Sequence, residues 1–308
     1  MGIEGIDVYH GDGAIDWPAV ARSGRVFAMA KSTEGGDRVD DRFPENWRGM
    51  GSAGLLRGAY HFARPHGRTA AEIRADAEAQ AEFFFGVVGA LGRGDLPPTL
   101  DLETTGGLSA EGALSWALTF VARAEALFAR RLIIYVGQCW KQEMGDPLVT
   151  SLSDHVLWTP RYSPVGEEPT PPRTWARWTI WQYSDDKVGT HRDGPLPRLP
   201  HDQNLWSGSL AELRALAAVL DPPAQPWPGR YLAFSDDARP QGDDVRAWQT
   251  RLHALGFAVT VDGDYGPQSR DICLRFQGER GWPAEGVEGP QTWLAAFPET
   301  FLPQPGER

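Results

Sequence analysis

Eight short runs of strand-forming residues recur along the first two-thirds of the chain, and the early ones alternate with helix-like stretches. The runs are residues 5–8, 26–31, 57–62, 99–102, 132–136, 156–159, 178–183 and 202–205. The stretches between the early runs are residues 17–23, 44–51, 69–86 and 110–130. The last two carry apolar residues at three- and four-residue spacing. Such alternation implies parallel strands with crossover helices, and eight strands suggest a barrel. Residues 160–176 and 184–201 are instead rich in Pro, Gly and charge, without helical period. The expected fold is therefore α/β: an irregular eight-stranded TIM-like barrel that loses its outer helices after the fifth or sixth strand.

Acidic residues fall at the ends of these runs. Asp7 lies on the first, Asp101 and Glu103 on the fourth, and Asp202 at the start of the last. In a parallel barrel the C-terminal strand ends converge on one mouth, where active sites form. Carboxylates crowded there repel one another and raise at least one pKa, as a glycosidase needs for its general acid. Asp101 and Glu103, two apart, face the same side of a strand, with backbone positions about 6.5–7 Å apart. Leu100 and Leu102 alternate with them, apolar toward the helices and acidic toward the mouth.

The chain has 308 residues, which suggests two domains. A proline-rich stretch, Asp221-Pro222-Pro223-Ala224-Gln225-Pro226-Trp227-Pro228-Gly229, follows a helix-like segment over 209–220 and reads as a semi-rigid linker. The expected division is a catalytic barrel over 1–220, a linker over 221–240 and a small domain over 241–308. A net charge of −11 argues against a nucleic-acid partner and lends no support to anionic-membrane binding. No apolar run approaches membrane-spanning length. The start, Met1-Gly2-Ile3-Glu4-Gly5-Ile6-Asp7-Val8, carries no secretory signal pattern. Cys139 and Cys273 read as two buried thiols rather than a disulfide framework, and the histidines lack metal-ligand spacing. Neither metal nor cofactor is expected, and a monomer is the default.

At these residues a family resemblance emerges. Gly5-Ile6-Asp7-Val8-Tyr9-His10, Ile15-Asp16-Trp17, Ala30-Lys31-Ser32-Thr33-Glu34-Gly35 and Gly58-Ala59-Tyr60-His61-Phe62 come first. Leu100-Asp101-Leu102-Glu103, Leu157-Trp158 with Tyr162, Ile180-Trp181-Gln182-Tyr183 and Asp202-Gln203-Asn204 follow. In this order they resemble the glycoside hydrolase family 25 muramidases, the Chalaropsis-type lysozymes of bacteria, fungi and many phage endolysins, over residues 2–220. The resemblance implies hydrolysis of the β-1,4 bond from N-acetylmuramic acid to N-acetylglucosamine in bacterial peptidoglycan. It implies Glu103 as proton donor. Asp101 would be its partner, either steering the substrate acetamido group or stabilising oxocarbenium charge. Asp7 and Asp202 would tune Glu103 and position substrate or water. Tyr9 and Thr159-Pro160-Arg161 depart from the family pattern, which bears on substrate fit.

Sugar rings stack on aromatic faces, and the chain holds thirteen tryptophans. Tyr60, Tyr135, Trp158, Tyr162 and Trp181 lie on or just past strand ends and are candidates for a glycan groove. For Trp158 and Trp181, core packing is an equal reading. Lys31 either bonds sugar hydroxyls or the peptide stem, or neutralises the acid cluster. His10 and His61 read as hydrogen-bonded residues of the mouth.

From Gly242 onward the chain repeats itself loosely. Asp262-Gly263-Asp264-Tyr265-Gly266-Pro267-Gln268-Ser269 matches Glu285-Gly286-Val287-Glu288-Gly289-Pro290-Gln291-Thr292. Each copy puts Gly in a turn and Pro where a helix begins. With an amphipathic stretch over 243–255 this gives a small all-α three-helix domain. It resembles the peptidoglycan-binding-domain-1 family over 242–297 and holds no acid pair, so its implied role is targeting. The leading reading is a wall muramidase, with a phage endolysin as the simplest setting: host cytoplasm, then the wall after lysis. A secreted protein is the other setting. An N-acetylglucosaminidase-type wall hydrolase and a non-catalytic peptidoglycan-binding protein are the competing functions.

Overall fold

The computed structural model describes residues 2–163, 167–185, 196, 199–218, 227–235, 237, 239–255 and 257–297. Contacts divide the chain into two units, Met1–Leu220 and Asp221–Arg308. Most of the predicted proline-rich linker, residues 221–226, lies outside the described residues.

In the first unit the strands are β1 (Ile3–Val8), β2 (Phe27–Glu34), β3 (Arg38–Val39), β4 (Leu56–Phe62), β5 (Thr99–Leu102), β6 (Ile133–Val136), β7 (Val156–Pro160), β8 (Ile180–Asp185) and β9 (Asp202–Trp206). They form one sheet in the order β1-β9-β8-β7-β6-β5-β4-β2, and pairing of β1 with β2 closes it into an eight-stranded barrel. The two-residue β3 is an appendage on β2. All eight predicted runs are barrel strands. Helices α1 (Trp17–Arg22), α2 (Phe43–Ser52), α3 (Ala70–Val88) and α4 (Ala110–Phe128) occupy the early connections. Three of them start where the sequence supplies a cap: Asp16, Thr69 and Ser109 accept the backbone N–H of Ala19, Glu72 and Gly112. Between β6 and β7 the described residues hold a π-type turn at Cys139–Glu143 and a 3-10 turn at Thr150–Leu152 in place of an α-helix. Most of the predicted irregular segment over 184–201 lies outside the described residues. Helix α5 (Leu210–Leu216) follows β9 and is fixed by a reciprocal Ser209–Glu212 capping box.

The barrel is not wholly parallel, contrary to the expectation from sequence. β9 runs antiparallel to both β8 and β1. A parallel strand requires a crossover back along the barrel, usually helical, and the sequence between β8 and β9 lacks helical period. The turn-back places the start of β9, rather than its end, at the mouth.

Period-two alternation sorts the barrel residues. Ala28, Ala30, Leu100, Leu102, Ile134 and Val136 face outward onto Phe84, Trp116 and Phe120 of α3 and α4. Phe27, Met29, Ile133, Ile180 and Trp206 fill the inside. Glycine makes room for two of these. A Cβ on Gly5 would lie 2.6 Å from the Phe27 ring, and one on Gly58 2.2 Å from Met29 Sδ.

Among the described residues of the second unit are three helices, α6 (Asp243–Ala254), α7 (Pro267–Gly278) and α8 (Pro290–Ala296). A short antiparallel pair, β10 (Leu232–Ala233) with β11 (Val287–Glu288), accompanies them, beyond the all-α expectation. Its core is Val245, Trp248, Leu252, Tyr265, Ile272, Phe276 and Trp293. The repeat has a structural cause. Gln249 Oε1 accepts the N–H groups of Asp262 and Gly263 while its amide donates to Ser269 Oγ. Gln277 does the same for Glu285, Gly286 and Thr292 Oγ1. Each glutamine thus braces one glycine turn onto the helix after it. Tyr265 and Glu288 hold equivalent places in the repeat, and both are fully buried.

Candidate active site

A cavity of about 550 Å³ opens at the barrel mouth. Asp7, Asp101, Glu103 and Asp202 all line it, and so do Lys31, Tyr60, Tyr135, Trp158 and Tyr162. Three strands supply the acids: β1, β5 with the residue that follows it, and β9. Asp7 and Asp202 are direct cross-strand partners in the antiparallel β1–β9 pair. Asp101 sits in register between Phe62 of β4 and Tyr135 of β6. Glu103 is the first residue past β5, where the chain leaves the sheet.

Gln182, from the middle of β8, ties the acids together. Its Nε2 donates to both oxygens of Asp7, at 3.1 and 3.0 Å, and to Asp202 Oδ2 at 3.1 Å. Its Oε1 accepts from the Tyr135 hydroxyl at 2.8 Å and the Tyr162 hydroxyl at 2.7 Å. Asn204 donates to Asp7 Oδ2 at 2.7 Å, and its own oxygen accepts the Trp158 indole N–H at 2.7 Å. An amide can donate and accept at once, so Gln182 satisfies acids on one side and phenols on the other. Gln182 and Asn204 lay within the recognised sequence motifs, but nothing singled them out as site residues. The available signal was a polar residue at an inward position of a barrel strand.

The four acids sit in different surroundings. Burial drives the Asp7 carboxyl up to about 7, against the pull of its bonds from Asn204 and Gln182. Burial, then the neighbouring Glu103 and Asp7, hold the Asp101 carboxyl well above the usual range, and its buried Oδ1 has no hydrogen-bond partner. Glu103 is the open one of the pair, exposed at the mouth. Desolvation raises its carboxyl too, against the field of Lys31 and Arg64. The cavity therefore holds acids with a high affinity for protons, one of them facing open space. That is the arrangement a general acid requires. Cys139 also lines the cavity, but burial pushes its thiol up to about 12, so it is no nucleophile near neutral pH.

Of the two readings of Trp181, packing is the one the geometry fits, and the mouth reading of His61 fails. Trp181 does not line the cavity; its neighbour Gln182 takes the inward position. The Trp181 indole is fully buried and donates to the Arg161 carbonyl at 2.9 Å, so its part is packing. His61 is not a mouth residue either. Tyr60 and Phe62 point inward on β4, and His61 points outward, bonded to Thr33 Oγ1 and Gln80 Oε1 and stacked on Phe120. Burial drives its imidazole down to about 4, leaving it neutral. His10 bonds Asp40 beside the mouth. Trp158 is buried but forms part of the cavity wall, standing edge-on to Tyr60 and Tyr135.

Both cysteines are free and buried. Among the described residues no group of three His, Cys, Asp or Glu is placed to hold a metal, and no helix is long and apolar enough to cross a membrane.

A family model described as Glycosyl hydrolases family 25 matches residues 6–190, and one described as Putative peptidoglycan binding domain matches residues 241–295. The chain is 35% identical over 224 residues to Lysozyme M1 of Streptomyces globisporus, covering 70% of the chain and 71% of that protein. It is 27% identical over 295 residues to an autolytic lysozyme of Clostridium acetobutylicum, covering 96% of the chain and 78% of that protein. The crystal structure of a bacterial lysozyme from Streptomyces coelicolor superimposes with a TM-score of 0.60 at 35% identity, over 70% of the chain and 97% of that protein.

Proposed function

The chain belongs to glycosyl hydrolases family 25 and is a muramidase, cleaving the β-1,4 bond from N-acetylmuramic acid to N-acetylglucosamine in peptidoglycan; from that premise we propose a division of labour among its four acids. Glu103 gives its proton to the glycosidic oxygen as the bond to C1 of the muramic acid breaks. The observation that carries this role is its place as the open acid beside a buried one, with its proton affinity raised by the cleft. Asp101 receives the N–H of the substrate acetamido group on its carboxyl group where it lines the cavity. An amide held there turns its carbonyl oxygen toward C1, which it attacks as the leaving sugar departs. Water then opens the ring so formed, giving its proton to the Glu103 carboxylate, and configuration is retained. Asp7 and Asp202, fixed by Gln182, hold the sugar and the water on the other wall.

Tyr60, Tyr135, Trp158 and Tyr162 supply the aromatic walls of the groove, and Lys31 its cation. Residues 1–220 form the catalytic barrel in this reading. The domain matched over residues 241–295 keeps the barrel at the wall, raising its effective concentration there. The protein acts as a monomer.

The test is mass spectrometry of borohydride-reduced muropeptides after digestion of purified wall by the wild type and by Glu103→Gln. New reduced muramic acid ends that vanish in the variant are expected. Reduced glucosamine ends would move the cut to the other bond. Equal activity of the variant would remove Glu103 from the proton-donor role.

A further inference from the structure

The strand β2 contains a bulge whose consequence lies at the mouth. Along β2 and β4 the partners are Lys31 with Tyr60, then Thr33 with His61 and Glu34 with Phe62, so Ser32 is the extra residue. On a regular strand, residues three apart face opposite sides. Inserting one residue restores the parity, and bulges next to active sites re-aim side chains in this way. Lys31 and Glu34 therefore share the inner side with Tyr60 and Phe62, while Thr33 turns outward to His61. The pair meets at 2.5 Å. Glu34 also accepts from Arg64, at 2.9 Å to Nε and 2.7 Å to the terminal nitrogen. The two cations lie over the Phe62 ring, at 4.6 and 4.5 Å from its centroid. Arg38 approaches the same carboxylate at 3.9 Å but is largely exposed.

Lys31 is the one cation lining the cavity among the described residues. The charged groups facing Glu103 there are otherwise acids: Asp101 on its own segment, Asp7 and Asp12 from β1 and its loop, Asp202 from β9, and Glu143 after β6. The remaining titratable groups are the phenols of Tyr9, Tyr60, Tyr135 and Tyr162 and the Cys139 thiol. Two unopposed cations at this rim would draw the proton off Glu103, which is the group that must hold it.

We propose that Glu34 is a positioning residue of the reaction: it clamps Lys31 and Arg64 over Phe62 and cancels one of their two charges, so that Glu103 keeps its proton at the pH where the enzyme works. This rests on the reading of Glu103 as proton donor.

The test is the pH profile of kcat/KM on a short soluble glycan oligomer from the wall, which reports the free enzyme's acid. Glu34→Gln should move the basic limb down by about one pH unit, roughly a tenfold loss above the wild-type limb, with the acid plateau kept. Glu34→Asp should leave the limb near the wild type. Lys31→Met should move it up, and the Lys31→Met/Glu34→Gln double variant should return it toward the wild type. A folded Glu34→Gln variant with an unmoved limb, or one with equal loss at every pH, overturns the inference. Should Glu34→Gln not fold, Lys31→Met decides: a limb that stays or falls overturns it. An active Glu103→Gln enzyme would instead bring down the underlying proton-donor reading.

Discussion

Replacing Gln182 by methionine tests the site's central joint with little change of volume. The side chain makes five hydrogen-bond contacts, and methionine replaces none of them. The consequences differ by partner. The Tyr162 hydroxyl is on a residue 38% exposed and can turn to water, which costs little. The Tyr135 hydroxyl is buried and left unpaired, at about 1–3 kcal/mol. Asp7 keeps its bond from Asn204 but loses its second donor, adding roughly another 1 kcal/mol. A total of about 2–4 kcal/mol corresponds to a fall of roughly 5–12 °C in Tm for a unit of this size. Asp7 and Asp202 also lose their common anchor, and misplacement on that scale costs about a hundredfold in turnover. Calorimetry and glycan cleavage on one preparation measure both. Gln182→Glu should be worse in activity, since it sets a third carboxyl against Asp7 and Asp202. A Gln182→Met enzyme with Tm within 2 °C of the wild type and undiminished turnover would refute the idea that this amide organises the site.

Other consequences can be measured as directly. The Glu288 carboxyl is fully buried without a hydrogen-bond partner, and burial raises it from 4.5 to about 8. The folded unit therefore keeps this proton while the unfolded chain loses it. Stability falls as pH rises from about 4.5 to about 8, by on the order of 3–5 kcal/mol, and levels off above. Glu288→Met should match the wild type near pH 4 and unfold at a higher temperature at pH 8; parallel pH dependences would count against this. Gly5→Ala meets the Phe27 ring, which cannot yield, and should cost about 2–3 kcal/mol, whereas Gly58→Ala meets the end of the flexible Met29 and should cost about 1, as read by denaturant unfolding. Removing residues 221–308 should leave cleavage of short soluble glycan within about twofold and slow the clearing of intact walls by tenfold or more.

Local pattern determined a good deal here. Period-two runs separated by amphipathic stretches define eight strands and four early helices, because alternation and helical spacing are properties of neighbouring residues. The same holds for the repeated glycine turns of the second unit. The Asp101–Glu103 spacing suggests one side of a strand; both acids line the cavity, but Glu103 does so from one residue past β5. The direction of β9 was beyond that reach: strand direction depends on how a connection returns, and the segment before Asp202 carries no periodic signal. On a parallel strand Asp202, as its first residue, would sit at the far end from Asp7; only the antiparallel pairing makes them partners. Sequence likewise leaves open which neighbour of an adjacent pair points inward. Trp181 and Gln182 exchange roles between groove and packing with a single step of register, and Lys31 and Glu34 share a side only because Ser32 bulges. Chemistry was legible in the residue types, but which groups touch was decided by long-range pairing, whose register no local pattern encodes.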